Sequence, residues 1–138
     1  MAAGALGFTS SRTLNHRTSR GEPPPTLQAE IDELLGMAAA LKTAGRGVME
    51  MISDFEDLET EFSLLKQMVD AAGRPMSISL AQGLSPHGWR KILDKIEQAS
   101  DSGVVMRGQV APRAIGILLG LTPTLAPFTP RPSFTEVA

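Results

Sequence analysis

Apolar residues along the chain alternate between a helical period and short runs typical of strands. Three amphipathic segments end at Ala-Gly or Ser-Gly, and a short run rich in Val, Ile or Met follows each at once. Gly45, Gly73 and Gly103 close these segments and fit the left-handed position that follows a helix. Because the unit recurs with nearly the length of one βα repeat, the pattern predicts a parallel sheet with helical crossovers.

The boundaries of these elements follow from capping signals. Thr26, Asp54 and Ser85 are candidate N-caps of the three helices, and Pro86 would then occupy a first helical position. The strands are predicted at residues 4–10, 47–53, 75–81 and 104–111. The fold class is therefore predicted as α/β, with about four parallel strands and three intervening helices.

Composition narrows the range of functions. The chain has 138 residues, a formal charge of −2, no cysteine and no tyrosine, five phenylalanines and one tryptophan. Disulfides and thiolate chemistry are excluded, and nucleic-acid binding has little support because basic residues do not cluster with aromatic ones. No apolar run approaches the roughly 20 residues of a membrane-spanning helix. The residues after Met1 lack a secretory-signal pattern, so we expect a cytoplasmic protein without a membrane partner.

Four parallel strands leave two open sheet edges, whereas a closed (β/α)8 barrel needs eight strands and about 250 residues. The first predicted strand also begins almost at Met1, and prolines crowd the last residues. We therefore expect a piece of a larger α/β protein. Residues 1–120 would form the βα part, and residues 121–138 a proline-rich irregular segment.

Candidate functional residues are placed by the rule that parallel α/β proteins work at the carboxyl ends of their strands. The residues at or after these predicted ends are Thr9, Ser10, Ser11, Arg12, Ser53, Asp54, Ser79, Gln82, Gln109 and Arg113. We take five of them as candidate substrate-binding residues, namely Arg12, Ser79, Gln82, Gln109 and Arg113. Asp54 can equally be a helix cap. His16 and His87 are each either a general base or an ordinary polar residue, because neither belongs to a histidine ligand pattern.

The order and spacing of several segments carry a family resemblance. GALGFTSSRTLNHR, AGRGVMEMISDF, AAGRPMSISLAQ, SGVVMRGQVAPRAIGILLGL and APFTPRPSF follow one another through the chain. Together they resemble the amidohydrolase superfamily, and within it the branch of N-acyl-D-amino-acid deacylases, or amidohydrolase type 3. The resemblance implies an internal piece of a TIM-type (β/α)8 barrel. It also implies a parent enzyme that hydrolyses linear C–N (amide) bonds with zinc-activated water.

The chain departs from this family where metal ligands are expected. The histidine positions at the ends of two family strands fall here at Ile52 or Ser53 and at Leu80. Residues 108–112 likewise lack the family's aspartate and tyrosines, so no residue of this chain is assigned to zinc. Two hypotheses stay open. Either the parent is a divergent hydrolase of small amides, or it is a non-catalytic α/β module that pairs with another chain or with the remainder of the barrel. The isolated chain is expected to be inactive in both.

Overall fold

The computed structural model describes residues 1–83, 85–114, 116, 120, 128 and 131–136. Within them the main elements follow one another as β1 (Gly7–Arg12), α1 (Ile31–Ala44), β2 (Val48–Ser53), α2 (Leu58–Ala72), β3 (Met76–Ser79), α3 (Gly88–Asp101) and β4 (Met106–Gln109). The strands form one sheet in the order β1-β2-β3-β4, and every pair is parallel. The predicted α/β class, with four parallel strands and three intervening helices, is confirmed.

The sheet has one face covered by helices and one polar face. Phe8, Met49, Met76 and Met106 are partners in register across the four strands. The three methionines are fully buried in one core cluster with residues of all three helices, among them Leu34, Leu65 and Ile96. Because side chains alternate along a strand, the next register row faces the other way. That row is Thr9, Glu50, Ser77 and Arg107. We call its side of the sheet the open face.

The predicted first strand starts three residues and ends two residues too early. β1 spans Gly7–Arg12 instead of 4–10, because Met1 to Gly4 form a turn in which Gly4 N–H donates to the Met1 carbonyl at 3.1 Å. At Gly7 the backbones approach closely, and a Cβ there would lie 1.8 Å from the Val48 carbonyl oxygen. Only glycine fits at this point. As a result Thr9 to Arg12 lie inside the strand and alternate between its two faces.

The predicted N-caps of α1 and α3 are wrong. Thr26 lies in a short 3-10 helix, Pro25–Gln28, and α1 begins only at Ile31 because Ala29 is extended, with ψ at 126°. Ser85 and Pro86 precede α3 in a turn closed by the hydrogen bond from Gly88 N–H to the Ser85 carbonyl, so His87 takes the capping position.

The N-cap of α2 is Asp57 rather than Asp54. The Asp57 carboxylate accepts a hydrogen bond from the Thr60 backbone at 3.2 Å and another from the Thr60 hydroxyl at 2.7 Å. The hydroxyl bond, followed by the backbone bond, lowers the pKa of Asp57 below its usual range. Both bonds favour the ionised carboxylate, which also lies at the positive end of the helix.

The helix ends agree with the glycine signals. Gly45 and Gly73 follow α1 and α2 with left-handed φ angles of 67° and 56°. Gly103 has φ 88° and follows Ser102, which is the C-cap of α3. Most of residues 121–138 lie outside the described residues, but within that segment Pro132–Thr135 forms a single helical turn. Of the helices described, none is long and apolar enough to cross a membrane.

Candidate functional site

The carboxyl edge of the sheet collects most of the predicted site residues, but it divides them between the two faces. Ser11 is a register partner of Ile52, and Ser79 is a register partner of Gln109. These four residues lie on the open face, because Met51, Ile78 and Met106 alternate with them toward the helices. Gln82 and Arg113 are exposed in the segments that follow β3 and β4.

Arg12 lies on the opposite, helix-covered face. Its Nε is 3.0 Å from Oε2 of Glu61, and its Nη2 donates to Oε1 of the same carboxylate at 3.0 Å. Its Nη1 donates to the Ala29 carbonyl at 3.2 Å, and Ser53 Oγ donates to Glu61 Oε2 at 3.0 Å. The Arg12 and Glu61 side chains are only 21% and 17% exposed. This bidentate pair fastens the end of β1 to the first turn of α2.

A second network holds the loop after β1. Asp54 accepts a short hydrogen bond from the Thr13 hydroxyl and a 2.7 Å bond from the Leu14 backbone N–H. The Asn15 amide donates to the Thr13 hydroxyl at 3.2 Å. Thr13 is 1% exposed and is the buried polar residue of the described chain. Asp54 therefore anchors this loop and does not cap a helix.

The anchored loop returns a histidine to the open face. His16 Nδ1 lies 2.7 Å from Oγ of Ser11, which is the penultimate residue of β1. The imidazole is exposed, whereas Ser11 is half-buried. Of the two histidines considered as general bases, His16 is the one with a hydroxyl partner. His87 instead takes the position before α3.

The remaining substrate-binding candidates have fewer contacts. Within the described part of the chain, no side-chain hydrogen bond joins Ser79, Gln82, Gln109 or Arg113 to another residue. Ser79 and Gln109 therefore present a free hydroxyl and a free amide on the open face. Donors and acceptors of this kind bind small polar molecules, and the sheet holds them on neighbouring strands.

The positions that correspond to metal-binding histidines in the resembled family lie on different faces. Ile52 is beside Ser11 on the open face, whereas Ser53 is bonded to Glu61 on the helix side. Leu80 is 8% exposed and packs toward the helices. A Cβ at Gly108 would lie 2.9 Å from its Cδ2 and 3.5 Å from Cδ1 of Ile96. Among the residues described, no group of three His, Cys, Asp or Glu could hold a metal. These residues do not fit a zinc ion.

The fold and this edge define the chain as a parallel α/β protein whose polar side chains gather at the carboxyl ends of its strands. No protein-family model matches the sequence, and no curated protein or solved structure matches it.

Proposed function

We propose that this chain forms four consecutive strands, with the three helices between them, in the barrel of a hydrolase that acts on linear amide (C–N) bonds, such as those of N-acyl-D-amino acids. The observation that carries the proposal is the two-faced parallel sheet. Helices cover one face, and the other is polar with Ser11, Ser79 and Gln109 at its carboxyl edge. In a (β/α)8 barrel this face would line the interior and this edge would form the mouth that binds substrate.

The proposal gives the candidate residues separate tasks. The Ser79 hydroxyl and the Gln109 amide lie on adjacent strands in register, about 4.8 Å apart at the backbone. Two such groups can hydrogen-bond the carbonyl oxygen and the N–H of one amide and so fix its orientation. Arg113, in the segment after β4, supplies a cation for the carboxylate of an acylated amino acid. Gln82 would supply a further donor after β3.

Zinc is expected for the parent by resemblance, but the residues described here do not fit it. The proposal therefore assigns no reaction step through a metal to this chain. Its residues bind and orient the substrate, and the Arg12–Glu61 pair keeps β1 and α2 in place. A cytoplasmic location belongs to the same proposal, and fractionation of cells that express the tagged protein would test it.

A second candidate function is favoured by Ile52, an apolar residue on the open face at one of the positions where the resembled family has metal-binding histidines. In this alternative the chain is a non-catalytic α/β module that covers its two open sheet edges by pairing with another chain or with the remainder of a barrel. The open-face polar groups would then contact protein instead of a small amide.

The test is to express the complete reading frame that contains this sequence and to assay it on N-acetyl-D-amino acids. We expect release of the free D-amino acid, with the L-enantiomers as control substrates. Gln109→Ala should lower kcat/KM about 10-fold or more, because a hydrogen bond to substrate contributes on the order of 1–2 kcal/mol. Gln98→Ala, an exposed glutamine on α3, is the matched control and should leave kcat/KM unchanged.

Absence of any amide hydrolysis by the complete protein would contradict the hydrolase and favour the module. Metal analysis of the same preparation adds a second readout. Stoichiometric zinc would show that other parts of the protein supply the ligands, and a metal-free preparation that still hydrolyses amides would assign the chemistry to residues of the kind described here.

A further inference from the structure

Ser11 and His16 have the geometry of a nucleophile and its base. The 2.7 Å between Ser11 Oγ and His16 Nδ1 lies within the range at which a base can take a proton from a hydroxyl. Ser11 is on the open face at the carboxyl edge of the sheet, where parallel α/β proteins place reacting groups. The proposed function does not use this pair.

The loop that carries His16 is built to hold the imidazole in place. Between Ser11 and His16 the chain is tied to Asp54 through the Thr13 hydroxyl and the Leu14 backbone N–H. Thr13 is fully buried, so the loop cannot leave the sheet without exposing or unpairing that hydroxyl. A catalytic pair needs this kind of support, because misplacement by about 1 Å removes most of its effect.

The surroundings of Ser11 favour a reactive hydroxyl. Its register partner is the apolar Ile52, which offers the hydroxyl no competing hydrogen bond. Ser10, the preceding residue, is the partner of the buried Met51 and points toward the helices. The strand therefore provides a second half-buried serine, on the opposite face, as a control next to the candidate one.

We propose that Ser11 and His16 form a nucleophile–base pair for acyl transfer. The pair rests on the proposed function for its substrate class, which is linear N-acyl compounds. Ser11 Oγ would attack the carbonyl carbon and pass its proton to His16 Nδ1. The C–N bond would then break as the imidazolium returns that proton to the leaving amine. Water would cleave the resulting ester at Ser11, with His16 again accepting and returning one proton.

A fluorophosphonate probe tests the pair on the 138-residue chain itself. Ser11 Oγ would form a bond to phosphorus, fluoride would leave, and the serine proton would pass to His16. Intact-mass and peptide mass spectrometry should locate one adduct, at Ser11. Ser10→Ala should be labelled at the rate of the unmodified chain, and Ser11→Ala should not be labelled. His16→Gln should slow labelling by about 100-fold or more, the usual effect of a general base.

Two results would overturn the pair: no adduct at Ser11, or an adduct that forms in His16→Gln within about threefold of the original rate. The second result would describe a serine that reacts with the probe without help from a general base. If Ser11→Ala loses its helical circular dichroism, its lack of labelling is not informative. The comparison of labelling rates between His16→Gln and the unmodified chain then decides, because Ser11 is intact in both.

The two proposals fail separately. The probe does not need a binding site for the amide substrate. An unlabelled Ser11 therefore contradicts the nucleophile–base pair even if the complete protein hydrolyses N-acetyl-D-amino acids. A labelled Ser11 in a complete protein that releases no amino acid would retain the pair and contradict the amide substrate.

Discussion

Replacing Glu61 with glutamine should destabilise the chain substantially, although the substitution exchanges only one carboxylate oxygen for an NH₂ group. Glu61 accepts three hydrogen bonds from the Arg12 guanidinium, at 3.0 to 3.2 Å, and one from Ser53 Oγ at 3.0 Å. A glutamine oxygen can keep part of this network, but in either orientation the NH₂ group faces an N–H of the guanidinium. The Arg12 cation would then remain mostly covered without a counter-charge.

The size of the effect follows from burial. Breaking a fully buried ion pair costs about 3–5 kcal/mol, and an exposed pair contributes about 0–1 kcal/mol. Because the two side chains are 21% and 17% exposed, we expect Glu61→Gln to lower the free energy of unfolding by about 2 kcal/mol. With a urea slope of about 2 kcal/mol per M, the midpoint would fall by about 1 M.

The assay is urea unfolding followed by circular dichroism at 222 nm. Asp70→Asn is the matched control, because Lys66 and Asp70 form an exposed pair on α2 at 2.8 Å with side chains 45% and 53% exposed. Its loss should cost no more than about 0.5 kcal/mol. Equal midpoint shifts for the two variants would refute the reasoning, since the Arg12–Glu61 pair would then behave as a surface pair.

Three further outcomes are expected. Gly108→Ala should cost about 1 kcal/mol in urea unfolding, because its Cβ would lie 2.9 Å from Leu80 Cδ2, the end of a side chain that can shift, and in a Leu80→Ala background the cost should nearly vanish. If the stability losses of Gly108→Ala and Leu80→Ala add up in the double variant, the clash is ruled out. Thr13→Val leaves Asp54 without its hydroxyl donor, and it should both lower stability by about 1–2 kcal/mol and slow probe labelling of Ser11. An unchanged labelling rate would show that the bond between Thr13 and Asp54 does not position the Ser11–His16 pair. Asp57→Ala should lower Tm at pH 7, and the gap in Tm should narrow as the pH falls below about 3.9. The folded-state pKa of Asp57 is lowered, so its contribution is present above the unfolded pKa and is lost as pH falls through the folded one. A gap as wide at pH 2 as at pH 7 would contradict this.

The features that sequence predicted correctly are those encoded locally. Helical stripes, β-branched runs and the glycines at 45 and 73 each reflect the backbone conformation of a few neighbouring residues. The parallel topology followed because crossovers of this length permit little else. The first strand was misplaced because its start depends on Gly7 touching Val48, a contact between residues far apart in sequence.

The site was harder to predict because long-range polar contacts decide it. Arg12 and Glu61 are 49 residues apart, and Thr13 and Asp54 are 41 apart. Position alone placed Arg12 among substrate-binding candidates and Asp54 among helix caps. The structure engages both in packing contacts that no local pattern encodes. His16 was recognised only as an isolated histidine, because nothing in the spacing shows that the loop would return it to Ser11.

Strand alternation decides how a family motif transfers to this chain. The family resemblance would put the expected histidines at positions 52 or 53 and 80, but a resemblance in sequence does not say which way each side chain points. Of these positions, only Ile52 lies on the open face next to Ser11 and His16. A histidine at position 80 would instead lie against Gly108 and Ile96 beneath α3. The absence of a histidine at position 80 therefore removes nothing from the open face. The polar side chains at the carboxyl edge of that face include Ser11, Ser79 and Gln109 on the strands and His16 on the loop after β1.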